Sequence, residues 1–292
     1  MSFTLAIADI VFSVRGWGPD EGPGLRPSVA AFLADGPADL SIDVRFGPLP
    51  SPLPRPEECV FSTGSPWSLY RRGGEHVFLL ESPRAGPEPF AVATFDDDFR
   101  RGEVVGRFDE TASAPGGLLP GSLEFPLSEV LMVCLLAKGR GLMVHASGVD
   151  DAGRGLLFCG NSTHGKTTMA RLWADSARVL NDDRVVLRRR GDRVFMFGTP
   201  WHGDLSAVSP CGVPLDRLHF LKQAPANDLR PVSGIEAASM LLARSFPPFW
   251  DPAGMEYTLD LAVGITRDVP CAELGFVPDP SAVEFVRCAR SS

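Results

Sequence analysis

The stretch GNSTHGKTT, residues 160–168, constrains this chain more than any other part of it. It fits the pattern G-x-x-x-x-G-K-[ST], in which backbone N–H groups close around phosphates, the lysine reaches phosphate oxygens and the last hydroxyl binds Mg²⁺. The alternative is an incidental glycine-rich turn, because so short a pattern also occurs by chance. The residues predicted to hold a nucleotide are Gly160, Asn161, Ser162, Thr163, His164, Gly165, Lys166, Thr167 and Thr168.

The sequence around this stretch predicts the strand and the helix that a phosphate loop requires. The apolar run LLFC precedes it, and KTTMARLWADSA follows with apolar residues at helical spacing. Two further apolar runs, RVL and RVVLRRR, flank the triplet NDD at residues 181–183. The run LMVHASGV is joined to GLLFCG by the short connection DDAGR, which predicts a β-hairpin that includes the strand before the loop. The part of the chain from residue 126 to 292 is therefore predicted to be an α/β domain with a phosphate-loop core.

The first part of the chain has a different pattern. Short apolar strands such as FTLAIADIVFSV and HVFLLES alternate with connectors rich in proline and glycine, such as GPLPSPLPRPEE. We therefore predict a β-rich domain or subdomain over residues 1–125, so that the whole chain is α/β in the broad sense, or α+β. A chain of 292 residues is long enough for such a division.

Composition and charge exclude several classes of protein. The net charge of −8 gives no basic surplus for a nucleic-acid backbone. The longest apolar run, VLMVCLLA at 130–137, is too short to span a bilayer, and the N-terminus lacks the basic region of a signal peptide. Six scattered cysteines without a C-x-x-C pair predict neither a zinc site nor a disulfide framework. We expect a cytoplasmic protein without nucleic-acid or membrane partners.

Two further features are candidates for chemistry. An acidic residue at the end of a strand beside a phosphate loop can hold the metal, and a second carboxylate can accept a proton, so Asp182 and Asp183 supply both roles. The alternative for this pair is a solvated turn. If the predicted hairpin is symmetric about residues 152 and 153, His145 lies opposite Gly160, beside the loop. The alternative for His145 is a partly buried strand histidine with a hydrogen bond.

These segments, HASGV, GRGLLFCGNSTHGKTT and VLNDDRVVL, resemble the HPr kinase/phosphorylase family in their order and spacing. That family shares its phosphate-loop core with ATP-dependent phosphoenolpyruvate carboxykinases. The resemblance is strong over about residues 140 to 190, and GTPWHGD and LLARSFPPFWD resemble stand-alone HPr-kinase-like proteins. It implies the fold of that core, with ATP and Mg²⁺ as cofactors.

The resemblance also implies roles for individual residues. Lys166 and Thr167 would hold the nucleotide phosphates and Mg²⁺, and His145 corresponds to the family's histidine. Of the aspartate pair, one serves as catalytic base and the other lies near the metal. We expect Asp182 to take the hydroxyl proton and Asp183 to bind Mg²⁺ with Thr167, with the reverse assignment left open.

The sequence departs from the family in the loop itself. The family usually has a glycine where this chain has Thr163, and a β-branched residue tolerates positive φ poorly. His164 occupies the next, variable position, and Thr167 keeps the hydroxyl of the usual serine. Competence for catalysis is therefore open.

Other residues near the motifs have two interpretations each. The segment GTPWHGD, 198–204, is either a substrate-side loop that carries Trp201 and His202 or a tight turn with a packed tryptophan. Arg184 is a candidate to neutralise phosphate charge. Arg230 and Arg244 are weaker candidates, for which surface or helix-end roles are the alternative.

These observations predict an ATP-dependent kinase that transfers the γ-phosphoryl group to a hydroxyl of a protein or peptide serine or of a small metabolite. A carboxykinase has less support because no extra set of metal-binding histidine and lysine is evident. HPr itself is not assumed, because the segment that grips it is not recognisable. The alternative is a non-catalytic nucleotide- or phosphate-binding module that acts through a partner. The sequence does not predict the oligomeric state.

Overall fold

The computed structural model describes residues 2–16, 25–83, 86–107, 126–161 and 164–289. The chain divides into two compact units, Met1–Cys134 and Leu135–Ser292. The sequence places its division at residue 125, just before the helix Leu127–Ala137, whereas the boundary of the compact units falls within that helix, between Cys134 and Leu135. Within the described ranges, no helix is both long and apolar enough to cross a membrane.

The first unit is built on one eight-stranded sheet with the order β1-β2-β3-β8-β7-β6-β5-β4. Pairing is parallel between β2 and β3 and between β3 and β8, and antiparallel elsewhere. Proline and glycine connectors keep the strands short, as their pattern predicts. The strands are β1 (Ser2–Ile7), β2 (Ile10–Arg15), β3 (Leu40–Phe46), β4 (Cys59–Ser62), β5 (Trp67–Arg72), β6 (Glu75–Leu80), β7 (Ala91–Phe95) and β8 (Arg101–Gly106). Helix α1 is Pro27–Ala30, a 3-10 turn covers Pro56–Glu58, and α2 is Leu127–Ala137.

The second unit is mixed α/β, and its described residues also form eight strands. The strands are β9 (Leu142–Asp151), β10 (Arg154–Cys159), β11 (Arg178–Asn181), β12 (Arg184–Arg190), β13 (Arg193–Gly198), β14 (Gly212–Gln223), β15 (Asp228–Val232) and β16 (Cys271–Phe276). The helices are α3 (Lys166–Trp173), α4 (Gly234–Leu242), α5 (Pro252–Asp268) and α6 (Ser281–Cys288).

The sheet of the second unit follows the order β10-β9-β12-β13-β14-β16-β15, and β11 also pairs with β9. Because β10 pairs with β14 as well as with β9, the pairings of β9, β12, β13, β14 and β10 close on themselves. One buried apolar cluster joins this sheet to α4 and α5, and a second joins it to α3 and α6. The apolar residues that recur at helical spacing in the sequence, such as Met169 and Trp173 of α3, are the ones that pack against the sheet.

The hairpin of β9 and β10 confirms the predicted register. Ala152 and Gly153 form its two-residue turn, with φ of 55° and 87°, and Cys159 pairs with Ala146. Two left-handed residues match the twist of the strands in such a turn. The pairing ends at Cys159, because the N–H of the next residue of β9, His145, donates to the Arg244 carbonyl at 2.7 Å, so the expected pair of His145 with Gly160 does not form.

Candidate functional site

The stretch at 160–168 lies between the end of β10 at Cys159 and the start of α3 at Lys166. Gly165 precedes the helix with φ of 91°, and a Cβ at this position would lie 2.6 Å from Cζ of Phe276. Both its conformation and its close contact therefore require glycine. The backbone N–H of His164 donates to the Asn161 carbonyl at 3.1 Å. Ser162 and Thr163, which the sequence places in the nucleotide site, lie outside the described residues.

Lys166 is the first residue of α3 and is 7% exposed. Its Nζ donates to the Asn161 carbonyl at 3.2 Å, and in the described parts of the chain it forms no ion pair with a carboxylate. Burial lowers the pKa of Lys166, and the negative charge of Asp183 opposes that effect. A buried ammonium that forms no ion pair among the described residues favours the binding of an anion.

Asp182 is 1% exposed and accepts three hydrogen bonds. Thr167 Oγ1 donates to Oδ2 at 3.0 Å, and the backbone N–H groups of Gly203 and Leu205 donate at 2.7 and 3.0 Å. Since the Thr167 hydroxyl uses its proton on Asp182, its lone pairs stay available to a cation or another donor. Asp182 thus joins the first turn of α3 to the segment after β13.

Asn181 fixes the backbone that presents the aspartate pair. Its Oδ1 accepts from the backbone N–H groups of Asp183 and Arg184 at 2.7 and 2.8 Å, which is an Asx-type turn. Its Nδ2 donates to the Thr199 carbonyl at 2.8 Å, and Thr199 Oγ1 donates to the Arg184 carbonyl at the same distance. Sequence reasoning missed this residue, although an asparagine just before a polar pair is a turn signal.

Asp183 differs from its neighbour because its side chain is 26% exposed and its partners are cationic or ionisable. His145 Nε2 donates to Oδ1 at 2.7 Å, and Arg184 donates to Oδ2 at 2.5 Å. Burial raises the pKa of Asp183, but the His145 hydrogen bond and the positive charge of Arg184 outweigh it, so the net pKa is lowered. Asp183 is therefore an ionised carboxylate that is partly open to solvent at neutral pH.

His145 lies on β9 and pairs in register with Arg184 on β12. The two residues therefore flank Asp183 from adjacent strands, and the His145 side chain is directed to that carboxylate. The site brings together three of the regions that the sequence singles out: the stretch at 160–168, the aspartate pair and His145.

The segment after β13 contributes to the same site. Thr199 is buried, and Gly203 lies so close to Asp182 that a Cβ there would be 2.9 Å from Oδ2. His202 is half-buried and its Nδ1 lies 2.8 Å from the Gly203 carbonyl. The loop that carries Trp201 and His202 is thus anchored on the buried aspartate.

The arginines separate into different environments. Arg184 is 17% exposed and pairs with Asp183. Arg230 pairs with Glu236 at 2.9 Å and with Glu273 at 3.6 Å, and half of its side chain is exposed. Arg244 donates to the Met240 carbonyl at the end of α4 at 2.8 Å. Arg184 is the only one of these three that contacts the aspartate pair in the described residues.

The atoms of this site that could bind a metal ion are the oxygens of a hydroxyl and of carboxylates. In the parts of the chain that the structure describes, no group of three or more His, Cys, Asp or Glu side chains could hold a metal ion. Mg²⁺ does not require such a group, because it commonly uses one or two protein oxygens together with waters and substrate phosphates. Thr167 and Asp182 fit that mode of binding.

Comparison with protein-family models and with curated proteins found no match to this chain. Comparison with solved structures found similarity to the Hpr(Ser) kinase/phosphatase from Coxiella burnetii, with 13% sequence identity and a TM-score of 0.28. The matched region covers 50% of this chain and 93% of that one. This likeness is distant, so a functional proposal rests on the geometry of the chain's own residues.

Proposed function

We propose that this chain is an ATP-dependent kinase that transfers a γ-phosphoryl group to a hydroxyl. The observation that carries the proposal is the proximity of three groups: the buried Lys166, a Thr167 hydroxyl oriented by Asp182, and the ionised Asp183. Phosphoryl transfer needs charge neutralisation, positioning and a proton acceptor, and these groups supply one of each.

In this proposal the nucleotide phosphates bind at the start of α3. Lys166 exchanges its Asn161 carbonyl for a phosphate oxygen, so the cost of its burial is offset by an anionic partner. The backbone N–H groups at the start of the helix add further donors. Gly165 keeps the backbone close to the phosphates, because a side chain there is excluded. Ser162 and Thr163 belong to the same proposed loop.

Thr167 and Asp182 would hold Mg²⁺ when it is bound, and Mg²⁺ supplies neutralisation of the phosphate charge. This assignment exchanges the roles that the sequence suggests for the aspartate pair. Asp182 is unsuited to take a proton from an acceptor, because it is 1% exposed and already accepts three hydrogen bonds.

Asp183 is the better proton acceptor. The hydroxyl oxygen of the acceptor forms a bond to the γ-phosphorus, the bond between that phosphorus and the bridging oxygen of ADP breaks, and the hydroxyl proton moves to Asp183. His145 donates to one carboxylate oxygen and so fixes the orientation of the carboxylate. Arg184 keeps the carboxylate ionised before the transfer and adds positive charge beside the phosphoryl group.

The acceptor is proposed only by its chemistry, as a hydroxyl of a protein or peptide serine or of a small metabolite. A second candidate function is a nucleotide- or phosphate-binding module without turnover. It is favoured by one observation: His145 and Arg184 occupy both oxygens of Asp183. Turnover would then require one of them to release the carboxylate.

One experiment separates these proposals. Thermal unfolding is measured with and without MgATP for the full chain and for its Lys166→Ala and Asp183→Asn variants, and slow ATP hydrolysis is followed without an acceptor. A kinase predicts stabilisation of the wild type and of Asp183→Asn, none for Lys166→Ala, and hydrolysis by the wild type alone. Stabilisation of the wild type without any hydrolysis would support the binding module, and no stabilisation of the wild type would overturn both.

A further inference from the structure

We infer that Phe246 is a positioning residue for the Asp183 carboxylate, acting through His145 and Arg184. The inference rests on the proposed function in that it takes Asp183 as the proton acceptor. Phe246 lies outside the phosphate-loop stretch and the aspartate pair, and it follows α4, far along the chain from Asp183.

The segment Arg244–Phe246 is held against β9 by its backbone. The N–H of His145 donates to the Arg244 carbonyl at 2.7 Å, and the N–H of Phe246 donates to the Met143 carbonyl at 3.0 Å. Ser245 forms an isolated antiparallel bridge with Val144 between these two bonds. The backbone of Phe246 is therefore fixed relative to the strand that carries His145.

The ring of Phe246 contacts both partners of Asp183. Its centroid lies 6.3 Å from that of the His145 ring at an interplanar angle of 56°, which is a tilted aromatic pair. The Cζ atom of Arg184 lies 4.4 Å from the Phe246 centroid, over the face of the ring. A guanidinium at this distance from an aromatic face is attracted to it.

This contact addresses a specific difficulty of the site. Arg184 has a long side chain whose rotamer freedom is lost when it binds Asp183, so a second contact that holds the guanidinium offsets part of that cost. The face of Phe246 and the Asp183 carboxylate restrict the guanidinium together. The same ring forms one wall for the His145 imidazole, so one residue sets the direction of both hydrogen bonds to Asp183.

A matched control lies in the same segment. Phe249 is 67% exposed, three residues beyond Phe246, so its removal changes the surface without removing a buried contact. Phe246→Tyr keeps the aromatic ring, whereas Phe246→Leu keeps apolar bulk without a ring and Phe246→Ala keeps neither. Together with Phe249→Ala, these three variants of Phe246 separate the effect of the ring from general changes in the segment.

The test follows the ring N–H resonance of His145 by NMR in the full chain labelled with ¹⁵N-histidine, without nucleotide. The chain has five histidines, and His145→Gln assigns the resonance. We expect the wild type, Phe246→Tyr and Phe249→Ala to show an Nε2–H signal protected from solvent exchange. We expect loss of that signal in Phe246→Ala and in Phe246→Leu. If the alanine variant does not fold, the leucine variant still tests the role of the ring.

The result overturns the inference if the protected signal is absent in the wild type, persists in Phe246→Leu, or disappears equally in Phe249→Ala. Acceptor-independent ATP hydrolysis supplies the second readout: kcat of Phe246→Leu falls about 10- to 100-fold while KM for MgATP is unchanged. A wild-type kcat together with a lost signal also overturns it. The NMR test needs no nucleotide, so its failure is distinct from failure of the proposed kinase activity. Failure of the kinase proposal is revealed instead by the absence of stabilisation by MgATP.

Discussion

The hydroxyl of Thr167 donates a hydrogen bond of 3.0 Å to Oδ2 of Asp182, which joins the first turn of α3 to a carboxylate that follows β11. The bond removes the hydroxyl proton from the side that a cation would approach. It also leaves Asp182, with its three donors, as a fixed buried acceptor. The proposed division of labour between the two aspartates depends on this relationship.

The first prediction concerns that hydroxyl. Thr167→Val keeps the shape of the side chain and removes the donor, so Asp182 loses one of its three hydrogen bonds and the unfolding free energy falls by about 1 kcal/mol. Stabilisation by MgATP is expected to disappear in Thr167→Val and to be retained in Thr167→Ser. Thermal unfolding with ATP, with and without Mg²⁺, measures both effects. Equal MgATP stabilisation of Thr167→Val and the wild type would contradict the role of Thr167.

The second prediction separates stability from binding at Lys166. Because its ammonium is buried and its pKa is lowered by that burial, Lys166→Met removes a desolvated charge at little cost in volume. Without nucleotide, we expect the unfolding free energy of the variant to be about 1–2 kcal/mol higher than that of the wild type. We expect MgATP to give the variant no further stability. Denaturant unfolding with and without MgATP tests this. A less stable variant would indicate that Lys166 is a structural cation.

The third prediction tests the loop that carries Trp201 and His202. A Cβ at position 203 would lie 2.9 Å from Asp182 Oδ2, so Gly203→Ala displaces the loop and weakens its 2.7 Å bond to Oδ1. We expect a loss of about 1–2 kcal/mol in unfolding free energy and a change in tryptophan fluorescence. Gly47→Ala is the control, since a Cβ there meets no atom within 4 Å. Identical behaviour of the two variants would show that the loop accommodates the methyl group.

The sequence predicts the local parts of this site well. The short connection between β9 and β10 predicts a two-residue turn, and this turn sets the register of the two strands as far as the pair Cys159 with Ala146. Apolar spacing predicts the strand before residue 160 and the helix after residue 165. These features depend on neighbouring residues, so short-range patterns are sufficient to indicate them.

The parts that depend on distant contacts were not predictable. The difference between Asp182 and Asp183 arises because Gly203 and Leu205 cap one carboxylate, while His145 and Arg184 bind the other. Adjacent identical residues carry no signal for such a difference. Phe246 reaches the site only because its segment bridges to β9, which no local periodicity indicates. Tertiary contacts therefore determine which residue of each motif can perform which role.

The last prediction concerns stability in acid. His219 is 1% exposed on β14, stacks on Phe158 with ring centroids 5.3 Å apart, and neither of its ring nitrogens has a partner among the described residues. Burial, aided by the positive charge of Arg217, lowers the pKa of His219 from 6.5 to about 3. The folded protein therefore keeps His219 neutral, whereas the unfolded chain takes up a proton as the pH falls below 6.5. Because the unfolded state binds more protons in this range, the fold loses stability as the pH decreases from about 6.5 toward 3, by at most about 1.4 kcal/mol per pH unit from this residue.

His219→Phe removes the titrating group and keeps an aromatic ring against Phe158. We expect its unfolding free energy to fall less than that of the wild type between pH 7 and pH 5, and His76→Phe, in the first unit, to leave the dependence of the second unit unaltered. Denaturant unfolding across this pH range measures the difference, and parallel curves for His219→Phe and the wild type would show that His219 is protonated in the folded state or has a partner there.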